Sequence, residues 1–374
     1  MAKIDELLES IDALTVAELA ELVKGIEEKF DSTSIRVTYY RPYFKQWLYY
    51  DKSFYWSQYQ LPKIFPTSDT NNLLICVSGV GVSKDFTCIV TNITPDLEII
   101  GKSQCFPMYW YEENKNVQGT LFDDANADKY IRHDGITDWI LKEIRSRFSN
   151  SKEITKERIF YYVYGILHSP EYRTRFADDL KKSLPRIPIV ERIEDFITFA
   201  KIGKQLADLH LNYEAVAPDE QVTVHFAAQP PVPTDQLKTW FAQPDGEQLL
   251  EKSYDFFAVE KMRFAKVRDD NGKLVPDKTK IVYNNFITFE NIPLAAYDYI
   301  VNGKSAIEWL MERYAITTDT ASGIRNNPND WSREHQNPTY IFDLMQSIIS
   351  LSLQTNCINS MNGPLSPCLV LWAM

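Results

Sequence analysis

Apolar residues recur at helical spacing through the first 31 positions. Leu7, Leu8, Ile11 and Leu14 line one face, and Leu19, Leu22, Val23, Ile26 and Phe30 line a second. Between them, Thr15-Val-Ala-Glu18 has the form of a capping box, in which the hydroxyl accepts from the Glu18 amide and the carboxylate reaches back. This predicts a helical hairpin at the N-terminus. The period then falls to that of a strand. Residues 73–80 and 87–91 alternate or run apolar around the turn Gly79-Val-Gly-Val-Ser-Lys-Asp85, and 97–100 and 106–111 read as further strands. Residues 114–128 are polar and read as a loop. Helical patterns return at 137–148 and at 155–167, the latter behind the start signal Thr155-Lys-Glu-Arg158. Residues 214–235 are rich in Pro and Ala, with Gln229-Pro-Pro-Val-Pro233 as a linker or crossing loop. Residues 280–289 look like a strand beside the polar turn Asp269-Asp-Asn-Gly272, while 293–301 and 305–314 look helical. No internal repeat stands out. The pattern predicts an α+β fold, with a mixed short-stranded sheet and a helical layer, preceded by the N-terminal helical hairpin.

Composition changes this picture little. The 374 residues are 44% hydrophobic, ordinary for a globular chain, and rich in Tyr and Phe. Nothing approaches the ~20 apolar residues of a membrane span, and the acidic opening lacks the basic start of a secretory signal. Five cysteines without C-x-x-C spacing read as reduced thiols, mostly buried, in a cytoplasmic protein. The five histidines are scattered as well, so no metal site is expected.

Charge is more informative. The net charge of −11 argues against a protein that coats DNA. Residues 1–31 hold three lysines and nine acids, however, so more than half of the excess sits in the opening segment. A sequence-reading domain needs only a local basic face.

One stretch carries more identity than any other: Tyr161-Tyr-Val-Tyr-Gly-Ile-Leu-His-Ser-Pro-Glu-Tyr-Arg-Thr-Arg-Phe-Ala-Asp-Asp-Leu-Lys-Lys-Ser-Leu-Pro-Arg-Ile-Pro188. It resembles a segment of the C-terminal specificity domain of Type ISP restriction-modification enzymes. Tyr40-Arg-Pro-Tyr-Phe-Lys-Gln-Trp-Leu-Tyr-Tyr-Asp51 is similar to the run that closes the methyltransferase region in that family, and Leu61-Pro-Lys-Ile-Phe-Pro66 follows it. Gly101-Lys-Ser-Gln-Cys-Phe-Pro-Met-Tyr-Trp110, Asp134-Gly-Ile-Thr-Asp-Trp139, Leu209-His-Leu-Asn-Tyr213, Val301-Asn-Gly-Lys-Ser-Ala-Ile-Glu-Trp309 and Asn327-Pro-Asn-Asp-Trp331 continue it in family order, from about Ile35 to about Asp343. Along and just beyond that segment, helices are expected at 170–183 and Ile193–Leu211, separated by Pro185 and Pro188. Leu14 to Phe30 resembles instead the N-terminal dimerisation segment of the bacterial ribosomal stalk protein.

These resemblances imply an organisation: 1–33 as the stalk-like hairpin, 34–66 as the methyltransferase tail or connector, 67–213 as the target-recognition region, 214–250 as a linker and 251–374 as the rest of the recognition domain. They imply double-stranded DNA as a partner, together with methyltransferase and helicase-nuclease regions in cis or in trans, and a homodimer through residues 1–31. The parent enzyme would use S-adenosylmethionine, ATP and Mg²⁺ for adenine-N6 methylation, translocation and cleavage, in phage defence. No cofactor is expected in this chain itself, which would choose the site and catalyse nothing alone. The alternatives are a protein-interaction module dominated by the stalk-like head and a gene remnant without function.

The expected engines are missing from the sequence: no G-x-x-x-x-G-K-[ST] loop, no [DN]-P-P-[YF] run and no F-x-G-x-G signature. Pro95-Asp96 upstream of Glu113-Asn-Lys115 matches a loose nuclease spacing, but Asp96 reads better as a turn residue. Arg41 is expected to pair with Asp51. The aromatic and basic run 35–65 could stack bases, though a packed connector is the stronger reading. His168 precedes a helix start at Ser169-Pro-Glu171, a structural role. Polar turns beside strands suit base reading: Ser83-Lys84-Asp85, Lys102-Ser103-Gln104 and Asn284-Asn285, of which Lys84, Lys102 and Gln104 are the preferred candidates. Arg173, Arg175, Lys181 and Lys182 are the candidates for phosphate contacts.

Overall fold

A computed structural model describes residues 34–55, 57–114, 129–149, 151–231 and 246–361, and the backbone of 369–370. The opening hairpin expected from the periodicity and the 114–128 loop, apart from Asn114, lie outside the described residues. In chain order the first strands are β1 (Ile35–Arg41), β2 (Phe44–Tyr49), β3 (Leu74–Val77), β4 (Cys88–Thr91), β5 (Thr94–Pro95), β6 (Gln104–Pro107), β7 (Tyr109–Glu113) and β8 (Tyr130–Asp134).

The architecture is α+β, as the periodicity predicted, but its sheets are several and small. β1 pairs antiparallel with β2 and parallel with β5. β3 lies between β4 and β6, antiparallel to both. A four-stranded antiparallel sheet orders Thr223–Phe226, Ile287–Glu290, Leu274–Val282 and Arg263–Arg268.

The sheet centred on β3 is buried on both faces and divides the interior. Its period-two alternation sends Leu74, Cys76 and Ile89 into one core and Ile75, Val77, Cys88 and Val90 into the other. The first core joins residues from 39–65 to Phe256–Leu351 and includes the long helix Tyr340–Ser360. The second is built on the helices Lys156–His168 and Ile193–Leu211. These two helices cross through facing glycines. A Cβ on Gly203 would stand 1.8 Å from the Tyr161 carbonyl oxygen, and one on Gly165 2.3 Å from that of Phe199. Gly165 belongs to the run that first suggested the family, so that run is in good part a packing device.

Several expected elements change form. Residues 97–100 make a turn rather than a strand, because Asp96 accepts from the Glu98 amide at 2.8 Å and its carbonyl takes the Ile99 N–H at 3.2 Å. Ile99 and Ile100 are still fully buried, which explains their apolar signal. The strand at 106–111 splits into β6 and β7. The helix at 170–183 breaks at Phe176 into Pro170–Arg175 and Ala177–Lys182. The strand at 280–289 reverses at Asn284, whose carboxamide oxygen accepts from the Phe286 and Ile287 amides. The helix at 293–301 shrinks to a 3-10 turn, Leu294–Tyr297, because Asn302 and Gly303 take positive φ (49° and 81°) and fold Ile300–Val301 back onto Lys304–Ser305. Beyond it Ala306–Arg313 is helical, behind a capping box formed by Ser305 and Glu308. No helix among the described residues is long and apolar enough to cross a membrane.

Candidate nucleic-acid interface

Three segments far apart in sequence meet at one end of the β4-β3-β6 sheet: the loop after β3, the turn before β6 and the Asn302-Gly303 hairpin. The Gly79 amide donates to the Gly101 carbonyl at 3.2 Å, and the Asn302 amide donates to the Thr87 hydroxyl at 3.0 Å. Gly79 has to lack a side chain, since a Cβ there would lie 2.0 Å from the Lys102 carbonyl oxygen. The end of the helix Ala177–Lys182 joins them, as the Gly81 amide donates to the Lys181 carbonyl at 3.2 Å.

This convergence brings Lys84, Lys102, Gln104, Lys181 and Lys182 into one neighbourhood, and all five are exposed. Lys102 sits at φ 48°, a left-handed turn position, with its amide on the Glu98 carboxylate. Gln104 opens β6 opposite Val77. Lys84 lays its stem across Gly303 and carries its ammonium 5.9 Å from the Trp309 ring centroid. Lys181 pairs with Asp85 at 3.0 Å.

Two further cations come from the hairpin and the helix after it. Lys304 and Arg313 lie 5.0 and 5.5 Å from the same Trp309 ring. Trp309 is buried and donates its indole N–H to the Val301 carbonyl at 2.6 Å, which anchors the helix under the hairpin. Glu312 binds both Lys304 and Arg313. Partial burial alone would raise its carboxyl, but the hydrogen bonds from these two cations outweigh that and hold it below the usual carboxylate range. Lys304 and Arg313 were missed from sequence. Lys304 stood within the family-like run 301–309, and only the Asn-Gly turn signal beside it hinted at its presentation.

The other candidates separate from this face. Arg173 turns inward instead of toward solvent: its guanidinium donates to the Leu167 carbonyl at 2.7 Å and reaches the Cys88 sulfur at 3.5 Å. It braces two elements and is poorly placed for phosphate. Arg175 is exposed one residue from the Phe176 ring it covers. Asn284 spends its carboxamide on four backbone groups, including the Phe256 and Ala258 carbonyls, and so is a turn scaffold.

Asp96 is a turn residue, paired with Arg41 at 2.7 Å, and Lys115 lies outside the described residues. Arg41 therefore pairs with Asp96 rather than Asp51, which caps the 3-10 turn Lys52–Phe54 through the Ser53 amide. No cluster of three or more metal-ligating side chains occurs among the described residues. His168 is buried, with Nδ1 3.1 Å from the Tyr164 carbonyl, and Ser169 caps the next helix. Cys76 and Cys88 are buried, Cys105 is partly so, and Cys357 is exposed.

The chain belongs to the family described as the Type ISP C-terminal specificity domain, whose model matches residues 9–344. The match begins inside the opening helical pattern, so it takes in residues 9–31, which the motifs had set apart. Among solved structures, the chain is similar to the ATP-dependent Type ISP restriction-modification enzyme LlaBIII bound to DNA, with a TM-score of 0.71 and 30% identity over 93% of this chain and 20% of that one. A nuclease-deletion mutant of the Type ISP restriction-modification enzyme LlaGI, in complex with a DNA substrate mimic, gives 0.66 and 30% over 92% of this chain and 26% of that one. A cryo-electron microscopy structure of a DrdV–DNA complex gives 0.67 and 29% over 90% of this chain and 29% of that one. The chain thus spans less than a third of the length of each of these structures. No curated protein matched.

Proposed function

We propose that this chain reads a DNA target sequence on behalf of a restriction-modification enzyme, through the turn cluster at the end of the β4-β3-β6 sheet. The observation that carries this reading is the meeting of two family-like runs, 101–110 and 301–309, around the loop that holds Lys84. Lys84, Lys304 and Lys182 are suited to phosphate, and Lys102 and Gln104, at the mouth of the turn, to base edges. Lys84 was first a base-reading candidate. Its stem is held across Gly303, which favours a fixed charge over a probing side chain. The rest of the enzyme would supply methyl transfer with S-adenosylmethionine and ATP- and Mg²⁺-dependent translocation and cleavage, in the cytoplasm. This chain alone would catalyse neither. Residues 1–31 would pair with a second copy through their apolar stripes, a reading that rests on sequence alone.

The test is enrichment of bound duplexes from a random pool by the purified chain, followed by affinity measurements across a salt series. One motif should emerge. Changing Lys84 and Lys304 to Ala should weaken all duplexes and flatten the salt slope by about 0.9 for each phosphate that is no longer neutralised. Changing Lys102 and Gln104 to Ala should erode discrimination more than affinity. A pool that enriches no sequence, with this chain alone or joined to a methyltransferase core, would overturn the reading.

A further inference from the structure

Beside the turn cluster lies a cleft of about 690 Å³ that the proposed reading does not use. It opens between β2, the end of the helix Ala306–Arg313, the short hairpin Thr317–Thr318 with Arg325–Asn326, and the helix Asn329–Glu334. Arg313 lines it and also lies over Trp309, so cleft and basic cluster form one continuous surface.

Aromatic rings make its floor. Trp47 is 50% exposed, with its ring centroid 5.5 Å from that of Trp331, and Trp331 stacks on His335 at 4.1 Å. The Trp47 indole N–H donates to Glu334 at 2.7 Å. The ring is therefore fixed in place while half of it stays in water. Stacking platforms for bases combine these same two properties.

The charges indicate what would sit there. Lys45 is paired with Glu214 and Arg313 with Glu312, while among the described residues the Asp330 and Glu334 carboxylates accept only from the neutral Asn327 amide and Trp47 indole. The interior thus has its cations paired and two carboxylates uncompensated, which makes it unsuited to a buried phosphate. Arg325, exposed at the rim, has no ion-pair partner among the described residues. A flat, neutral ring on Trp47 with an anionic group near Arg325 describes a nucleotide lying base-inward.

We infer that this cleft holds one unpaired nucleobase of the DNA that the turn cluster engages. The inference rests on the DNA-reading function proposed above, and the experiment separates the two. Duplexes carrying the enriched site are made blunt, with a single-stranded tail on either strand, or with one internal bulged nucleotide, and are titrated against the full chain. At least one unpaired form should bind about tenfold tighter than the blunt duplex and quench tryptophan fluorescence. Trp47→Ala should remove that gain and leave blunt binding unchanged, Trp47→Phe should keep most of it, and Arg325→Ala should lower it several-fold. Equal affinity for blunt and all unpaired forms would overturn the inference and leave the proposed function standing. So would a Trp47→Ala chain of unchanged thermal stability that keeps the gain or weakens all forms alike. No binding to any form would overturn the proposed function itself.

Discussion

Single atoms decide how closely two helices of this protein approach. At the crossing of Lys156–His168 and Ile193–Leu211 the Gly203 Cα stands so near the Tyr161 carbonyl that no β-carbon fits. Gly203→Ala must push two backbones apart, at the upper end of the about 1–3 kcal/mol typical of overpacking or beyond it. The urea midpoint should fall sharply, while Lys201→Ala on the exposed side of the same helix should leave it nearly unchanged. Neither glycine was singled out from sequence, because a helical glycine looks the same whether it is a weak point or a closest approach. Arg173 and Asn284 carry the same lesson. Their side chains suited DNA contacts by residue type, and hydrogen bonds to backbone carbonyls gave them structural duties.

At the scale of elements, local signals were read best where the chain satisfies its own hydrogen bonds. Ile193–Leu211 formed with the expected bounds, and Thr137 and Thr155 cap the helices they precede. The helix Ala306–Arg313 depends on Ser305, whose hydroxyl accepts from the Glu308 amide at 3.2 Å and donates to its carboxylate at 2.8 Å. Ser305→Ala should cost about 1 kcal/mol, read as a lower urea midpoint, and Ser305→Thr should recover most of it. Since this helix carries Glu312 and Arg313, the alanine variant should also bind DNA more weakly if the turn cluster is the reading surface. The failures at this scale are apolar runs whose backbone turns. Ile99 and Ile100 are buried without a strand, and the 3-10 turn Leu294–Tyr297 gives way to a hairpin. In both places a side chain or a left-handed residue overrules the apolar pattern.

At the scale of the whole molecule, two cores and a polar bridge between them hold the described residues together. His210 lies 2.7 Å from the Tyr164 hydroxyl on one side and 3.0 Å from the Thr355 hydroxyl on the other, and its ring stacks on Tyr299. A neutral imidazole can accept from one hydroxyl and donate to the other. Burial, with a smaller contribution from Arg173, pushes the His210 pKa down to about 3, and burial also holds His168 well below its ordinary value. Both histidines titrate near 6.5 once unfolded, so the unfolded chain binds the extra protons. Stability should therefore be level above about pH 6.5 and fall as pH drops from there toward 3, by up to about 1.4 kcal/mol per pH unit for each ring. Urea midpoints measured from pH 8 to pH 4 check this. His210→Gln should lower stability at neutral pH and reduce the acid slope, and a flat wild-type profile would rule the account out.

What the sequence determined by itself was local or ancestral. Helix starts, the α+β class and the family-like runs are written in spacing, capping and motif order, which neighbouring residues settle among themselves. What only the tertiary structure decided was which distant residues share a surface or a core. Lys84, Gly101-Lys102 and Asn302-Gly303 are separated by up to about 220 positions, and they meet because a sheet buried on both faces fixes where its loops emerge. Trp47 and Trp331 likewise form one ledge only because the fold sets β2 beside Asn329–Glu334. Long-range packing places these groups, and no local pattern records it.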